Sequence, residues 1–226
     1  MNLILKLRNN NIFVSYFAIF VLGISALAVS LLIGRIFIDV NPIDRFLVTI
    51  FYFTTQSNIL ILIIMVCYIL KQKDNGWFQI LSLIGLIDIL ITSIFFHLFL
   101  ASYLVGINMM QHLLHTGTPL LYLIFYFVII EHTFRLKDAW IGLIHPIIFV
   151  ISVYTWIHPI FGDTLAATLI DFQGASYVYP FMDPSTYQTG ITGLLLFDLG
   201  ILTPFVIVLS ILVIYLKSSF ELRITK

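Results

Sequence analysis

From Ile89 to Ile130 the chain contains no Asp, Glu, Lys or Arg. A single helix of those 42 residues would extend roughly 63 Å, about twice the hydrocarbon thickness of a bilayer, so the segment must turn once. Gly106 and Asn108 mark the predicted turn. Over the whole chain 61% of residues are hydrophobic and 10% are charged, whereas soluble domains carry about 25% charged residues. We therefore expect an integral membrane protein built from helices.

Further uncharged runs divide the rest of the chain. They predict an all-α fold, a polytopic bundle of six transmembrane helices that forms one domain over residues 1–226. The longest loop is rich in aromatic residues and contains two prolines, which suggests a lid rather than a flexible linker. The predicted spans are 12–34, 46–70, 78–100, 111–130, 139–160 and 191–216, with the long loop at 161–190.

Lys and Arg are distributed unevenly over the segments between these spans. Nine fall on one side, and only Arg35 and Arg45 fall on the other. Cytoplasmic loops of membrane proteins carry the excess of Lys and Arg, so both termini are expected in the cytoplasm and the loop 161–190 outside. The net charge is zero, so nothing indicates a nucleic-acid partner. The single cysteine, Cys67, excludes an internal disulfide.

Polar side chains within a span are costly unless they are paired, so each is a functional hypothesis. Their positions along the spans place most of them in the outer half of the bundle, beneath the loop. Asp88 is expected near the middle, on the face opposite His97, which suggests a separate structural or proton-linked role. His145 is expected near the inner interface. The outer group comprises Thr54, Asn58, His97, His112, His115, His158 and Asp198.

His112 and His115 are three residues apart and share one helix face. The residues alone leave three interpretations open. In the first, the two histidines are polar groups that bond neighbouring helices. Together with His97 and His158 they would form a metal or haem site, although the chain has no HExxH motif. In the third interpretation one imidazole is the general base for an alcohol nucleophile.

The catalytic interpretation requires a nucleophile, and Thr54 or Thr55 supplies a hydroxyl. A threonine in a membrane helix also commonly bonds the carbonyl four residues earlier, so this position has a purely structural interpretation too. Asn58, one turn after Thr54, would donate its amide to an oxyanion. Asp198 would orient an imidazole through the second ring nitrogen.

Three short motifs resemble one known family. They are YFTTQSNIL at 52–60, QHLLHT at 111–116 and YVYPFMDP at 177–184. In this order and on a six-span layout they resemble the androgen-induced gene 1-like family, which includes the androgen-dependent TFPI-regulating protein, and most of all its bacterial branch. The resemblance covers nearly the whole chain.

The resemblance implies a transmembrane threonine hydrolase that cleaves fatty-acyl esters of hydroxy fatty acids without a cofactor or metal. The family nucleophile corresponds to Thr54, the family base to His115, and the Tyr-Pro-Phe element begins at Tyr179. The chain differs from the animal members around this pair, since Gln111 replaces Asn and Leu113-Leu114 replaces Gly-Met. Because of these differences, the resemblance does not identify the natural substrate.

The resulting expectation is a lipid-ester hydrolase in a bacterial plasma membrane, with its site toward the outer leaflet. Acyl transfer to another alcohol uses the same covalent step. The alternatives are a non-enzymatic binder or transporter of a small molecule or lipid and, after it, a His-ligated metal or haem protein. The expected partners are a lipid substrate and the membrane, and the oligomeric state is open. The supporting residues are Asn58, His97, His112, His158, Tyr179 and Asp198.

Overall fold

The structure, a computed structural model, describes residues 3–101, 106–169 and 175–224, and within these ranges every regular element is helical. The all-α class predicted from the uncharged runs is confirmed. The α-helices are α1 (Leu3–Arg8), α2 (Asn11–Phe37), α3 (Pro42–Phe51), α4 (Phe53–Ile69), α5 (Gly76–Phe95), α6 (Met109–His112), α7 (Thr118–Val128), α8 (Ile144–Ser152), α9 (His158–Thr168), α10 (Ile191–Phe197) and α11 (Thr203–Ile224).

Several α-helices are joined end to end by short helical turns of different pitch. A 3₁₀ segment, Leu136–Leu143, leads into α8, and four π-helical turns occur in the described residues. Pro119, Pro159 and Pro204 each stand two residues after one of these π turns. Proline lacks an N–H and its ring collides with the carbonyl four residues earlier, which favours a locally widened helix. The π turns are Phe96–Leu100, Leu113–Gly117, Val153–Ile157 and Asp198–Leu202.

In the described part of the chain, four helical segments are long and apolar enough to cross a membrane. A fifth is obtained if α3 and α4 together form one bent span. The chain is also helical from Met109 to Val128, but its polar residues keep this segment below the apolarity of the others. The multi-pass character is therefore supported, and the number of six spans stays a prediction. The four segments are Asn11–Phe37, Gly76–Phe99, Leu136–Thr168 and Ile191–Ile224.

Helix α5 lies at the centre of the bundle and contacts α4, α7, α8 and α11. Two glycines allow the closest approaches. A Cβ on Gly85 would lie 2.4 Å from the Ile64 side chain of α4, and one on Gly142 would lie 2.1 Å from Ser210 Oγ of α11. Small residues permit close backbone packing between membrane helices. The core formed around α5 fixes the positions of the helices that carry the polar residues.

The predicted span 46–70 is not one straight helix. α3 ends at Phe51, Tyr52 is extended, and α4 begins at Phe53 after a bend of 76°. The bend lets Phe51 and Phe53 both enter one apolar cluster with Phe149 of α8. This burial is the physical reason for the break, which the unbroken apolar run did not reveal. Its consequence is that Thr54 lies in the first turn of a helix rather than in the middle of one.

Candidate functional site

A cavity of about 400 Å³ lies between the start of α4, the end of α5, α8 and the junction of α10 with α11. Its wall is almost entirely apolar, and its size is within the range of small-molecule sites. A few polar side chains reach the wall, among them Thr54, Thr92, Tyr179, Asp198 and Thr203. The cavity therefore combines a large apolar volume with a small number of polar groups that could bind or react with a ligand.

The mouth of this cavity is apolar. Ile147 and Ile151 of α8 and Leu199 of the π turn Asp198–Leu202 line it and are 47%, 55% and 67% exposed. On a helix that crosses a membrane, exposed apolar side chains of this kind face lipid. We infer from these side chains that the cavity opens sideways between α8 and the π turn, where a hydrocarbon chain can enter without crossing water.

Thr54 stands at the N-terminus of α4 and lines the cavity. The N–H groups in the first turn of a helix have no carbonyl partner within that helix. The hydroxyl of Tyr179 contacts the Thr54 hydroxyl and the backbone of Phe53 and Thr54. The Thr54 hydroxyl is thus held at the cavity wall, next to backbone N–H groups that can stabilise a negative oxygen.

A hydrogen-bond network connects the Thr54 segment with the His115 segment. Asn58 Nδ2 donates to the carbonyl of Thr54 at 2.8 Å and to the carbonyl of Leu114 at 3.2 Å. Ser57 Oγ lies 3.0 Å from the same Thr54 carbonyl and 2.8 Å from Thr92 Oγ1. Since both Asn58 donor hydrogens are used in this network, Asn58 positions the two segments instead of donating to an oxyanion.

His115 is buried, with 7% of its surface exposed. Its ring stacks on Phe96 at a centroid distance of 3.7 Å and interacts with the backbone of Thr92. Among the described residues, Nδ1 of His115 has no hydrogen-bond partner, and no hydrogen bond joins the ring to Thr54. The structure thus places His115 on the segment bonded to Thr54 through Asn58, behind the cavity wall rather than on it.

The described part of the loop between α9 and α10 supplies part of the cavity wall, and its role as a lid stays a prediction. Tyr179 and Phe181 line the cavity and stack on each other at 5.2 Å. Val178 has a φ of 70°, which is rare for a β-branched residue. His158 stacks on Tyr177 at 3.6 Å and bonds the carbonyl of Ser176 at 3.1 Å. His158 therefore holds the loop and does not line the cavity.

His97 and His112 also lie outside the cavity, and both are exposed. His97 Nε2 is 3.0 Å from Thr116 Oγ1, so it supports the π turn that contains His115. In the part of the chain that the structure describes, no three His, Cys, Asp or Glu side chains converge as ligands of a metal ion. The histidines proposed as one ligand set therefore belong to different local arrangements.

Asp88 and His145 form a buried polar contact that the sequence did not predict. Asp88 Oδ2 lies 2.7 Å from His145 Nδ1, off the direction of a straight hydrogen bond, and Asp88 is fully buried. His145 Nε2 is 3.1 Å from Gln56 Oε1, and its ring stacks on Phe53 at 5.1 Å. His145 therefore lies beside the first turns of α4, next to the Thr54 segment, whereas its position in the sequence predicted a different depth from that of Thr54.

Thr92 is a polar residue of the candidate site that the sequence pattern did not predict. It is buried on α5, lines the cavity, bonds Ser57 and contacts the His115 ring through its backbone. A signal was present, since Thr92 follows Asp88 by four residues and therefore shares its helix face.

Comparisons of the chain with protein-family models, with curated proteins and with solved structures find no match. What the protein does is therefore inferred from its own residues and their geometry.

Proposed function

We propose that this protein is an intramembrane hydrolase of lipid esters that uses Thr54 as its nucleophile and His115 as its general base. The observation that carries the proposal is the Thr54 hydroxyl on the wall of an apolar cavity with a lateral opening toward lipid. The three motifs that resemble the androgen-induced gene 1-like hydrolases agree with this assignment, because Thr54, His115 and Tyr179 each belong to one of them.

In the proposed reaction, Thr54 Oγ attacks the carbonyl carbon of the ester while His115 takes the hydroxyl proton. The bond between the acyl carbon and the alcohol oxygen then breaks, and His115 returns the proton to the leaving alkoxide. Water attacks the acyl-Thr54 ester with His115 again as base. The products are a free fatty acid, an alcohol and the regenerated threonine.

The negative charge that develops on the carbonyl oxygen needs donors at a fixed position. The N–H groups in the first turn of α4 supply them once the Tyr179 hydroxyl, which contacts the backbone of Phe53 and Thr54, gives way to the substrate oxygen, and the positive end of the helix dipole adds to the effect. They replace Asn58, the donor suggested by the sequence. Tyr179 completes the arrangement by holding the Thr54 hydroxyl. Burial raises the pKa of Tyr179, so this hydroxyl stays protonated at neutral pH.

The proposal requires His115 to move before it reaches Thr54. Catalytic hydrogen bonds are often long in unliganded enzymes and tighten when substrate binds. No hydrogen bond to Nδ1 of His115 is broken by this movement, although the ring gives up part of its contact with Phe96 and Thr92. The full proposal includes six spans, cytoplasmic termini and a site toward the outer leaflet of a bacterial plasma membrane, as the distribution of Lys and Arg indicates.

The decisive experiment is covalent labelling of the purified protein with an alkyl fluorophosphonate. We expect labelling of the wild type, with the adduct on Thr54 by mass spectrometry, and at least roughly 100-fold slower labelling of Thr54→Ala and His115→Ala. Thr55→Ala is the matched control, since Thr55 is buried one residue further along α4 and does not line the cavity. Equal labelling of all four proteins would exclude the mechanism.

A non-enzymatic lipid binder or transporter is the second candidate. It is favoured by the same apolar cavity together with the absence of a Thr54–His115 hydrogen bond in the described residues. It predicts saturable binding of single-chain lipids without turnover and without a covalent adduct.

A further inference from the structure

Asp198 places a carboxyl group on the cavity wall. Among the described residues, no Lys, Arg or His lines the cavity with it. It begins the π turn Asp198–Leu202, at the junction of α10 and α11. In the described structure its Oδ1 atom is buried and has no hydrogen-bond partner. A buried oxygen without a donor is costly, and such groups are rare unless a ligand or water completes them.

Two tyrosines lie near Asp198, but neither donates a hydrogen bond to its carboxylate. Tyr154 and Tyr187 are both close enough to interact with its charge. The Tyr154 hydroxyl, however, donates to the carbonyl of Met182, and the Tyr187 hydroxyl donates to the carbonyl of Phe181 at 2.6 Å. Since each phenol has one proton, neither proton is available to Asp198. The carboxylate of Asp198, which lines the cavity, is therefore left for a donor on a molecule that occupies the cavity.

The stretch of sequence that supplies one side of the cavity wall is also acidic. Residues 139–216, which include α8 to α10 and the loop above the cavity, contain four Asp and no Lys or Arg. Arg35 and Arg45 interact with the charge of Tyr52 near the bend, but Arg45 bonds Asp39 at 2.6 Å and neither arginine lines the cavity. A free carboxylate on a ligand would therefore meet Asp198 without a cation to balance it.

We propose that Asp198 selects lipid esters whose alcohol part carries a hydrogen-bond donor, a hydroxyl or a protonated amine, and rejects esters whose alcohol part carries a free carboxylate. The proposal rests on the proposed function, and it changes the substrate class. With the ester carbonyl at Thr54, the acyl chain fills the apolar volume toward the lateral opening, and the alcohol part reaches Asp198. The substrates are then acyl esters of a polyol or an amino alcohol, rather than esters of a hydroxy fatty acid.

The test compares four palmitoyl esters that differ only in the alcohol part. The hydroxyethyl ester has a donor without charge, the dimethylammonioethyl ester has a donor and a positive charge, the choline ester has a positive charge without a donor, and the carboxymethyl ester has a negative charge. We expect kcat/KM to be at least about tenfold higher for the two donor esters than for the carboxymethyl ester. The choline ester separates the contribution of charge from that of the donor.

The variant that tests the assignment is Asp198→Asn, which keeps the size of the side chain and removes its charge. We expect the ratio between the dimethylammonioethyl and carboxymethyl esters to fall to less than about threefold. Asp163→Asn is the matched control, because Asp163 is exposed in the same acidic part of the chain and should leave the ratio unchanged. Asp198→Ala serves as the second variant if Asp198→Asn does not fold.

Binding distinguishes a failure of this inference from a failure of the proposed function. The corresponding non-hydrolysable ethers are added to Thr54→Ala protein, and the shift in Tm reports binding without turnover. A larger shift for the hydroxyethyl ether than for the carboxymethyl ether, lost in the Thr54→Ala/Asp198→Asn double variant, supports the selectivity even if no ester is hydrolysed. Equal shifts, or a carboxymethyl ester that is the best substrate, would overturn it whether or not the protein is a hydrolase.

Discussion

Two groups of buried polar side chains lie at opposite ends of α11 and differ in how completely their hydrogen bonds are made. At one end Lys217 donates to the carbonyls of Phe127 and Ile130 and to Glu221. Arg8 holds Glu221 through two bonds of 2.7 and 2.9 Å and donates to the carbonyl of Val128. These cations satisfy the carbonyls at the C-terminus of α7, where the helix dipole also favours positive charge.

The other end lies roughly 20 Å away along α11, at the cavity. Here buried Asn58 Oδ1, His115 Nδ1 and Asp198 Oδ1 have no partner in the described structure. Buried charges that are fully paired hold a fold together, whereas unpaired buried polar atoms need another explanation, often a ligand or a reaction. The difference supports a structural role for the Lys217 end and agrees with the proposed site at the Thr54 end.

The largest expected effect on stability is at the Lys217 end. Lys217→Met removes the ammonium group that donates to the carbonyls of Phe127 and Ile130 and to Glu221, and it leaves Arg8 in place. We expect a loss of about 3 kcal/mol or more in the free energy of unfolding, measured by denaturant titration in mild detergent. The folded fraction should still be labelled by the fluorophosphonate at the wild-type rate. Lys137→Met, at an exposed position, should change stability by less than about 0.5 kcal/mol. Slower labelling of the folded Lys217→Met protein would show that the Lys217 end also contributes to the reaction of Thr54.

Asn58→Leu tests the connection between Thr54 and His115. The carbonyls of Thr54 and Leu114 lose their common donor, so we expect a loss of about 1–3 kcal/mol in the free energy of unfolding. Labelling of Thr54 should slow by roughly 100-fold, because the two catalytic segments are no longer fixed relative to each other. Asn75→Leu, at an exposed position before α5, is the control. Wild-type labelling in Asn58→Leu would show that the network is only structural.

Tyr179→Phe should have a smaller effect on stability and a selective effect on activity. It removes the hydroxyl that contacts Thr54 and the first backbone groups of α4. We expect a loss of about 1 kcal/mol in stability and about tenfold slower labelling. Tyr177→Phe, in the same loop, keeps the ring that stacks on His158 and should be labelled like the wild type. Equal labelling rates for Tyr179→Phe and Tyr177→Phe would show that the Tyr179 hydroxyl does not contribute to the reaction of Thr54.

The smallest effect concerns His132, which lines a polar cavity of about 280 Å³ near the Lys217 end. Burial lowers the pKa of His132 below its usual value of 6.5, against the opposing effect of Asp138. The folded state therefore favours the neutral ring, and stability should decrease as the pH falls below about 6.5, because the unfolded chain takes up the proton first. The stability of His132→Gln should fall less between pH 7 and pH 5. An identical pH dependence in the two proteins would contradict this sign.

The fold class was predictable from the sequence because long uncharged apolar runs admit few alternatives in a membrane. The predicted turn near Gly106 and Asn108 agrees with the structure, where Asn108 and Gln111 form a capping box at the start of α6. The bend at Tyr52 was not predictable. It depends on Phe51 and Phe53 entering a cluster with residues about a hundred positions away, and such contacts leave no local pattern.

The candidate site, like the fold, was predictable from the sequence only in part. The sequence by itself determined which residue types are present inside the apolar helices, and so it identified Thr54, His115 and Asp198, since polar groups there are costly enough to need a reason. Tyr179, which lies in the loop, was suggested only by the resemblance of its motif. Only the tertiary structure decided which of them meet. It brought Thr54, Tyr179 and Asp198 to one cavity, connected His115 to Thr54 through Asn58, and left His97, His112 and His158 outside the cavity. The reason is that helix bends and π turns change the direction in which side chains point. Such bends and turns depend on long-range packing, which leaves no local sequence pattern.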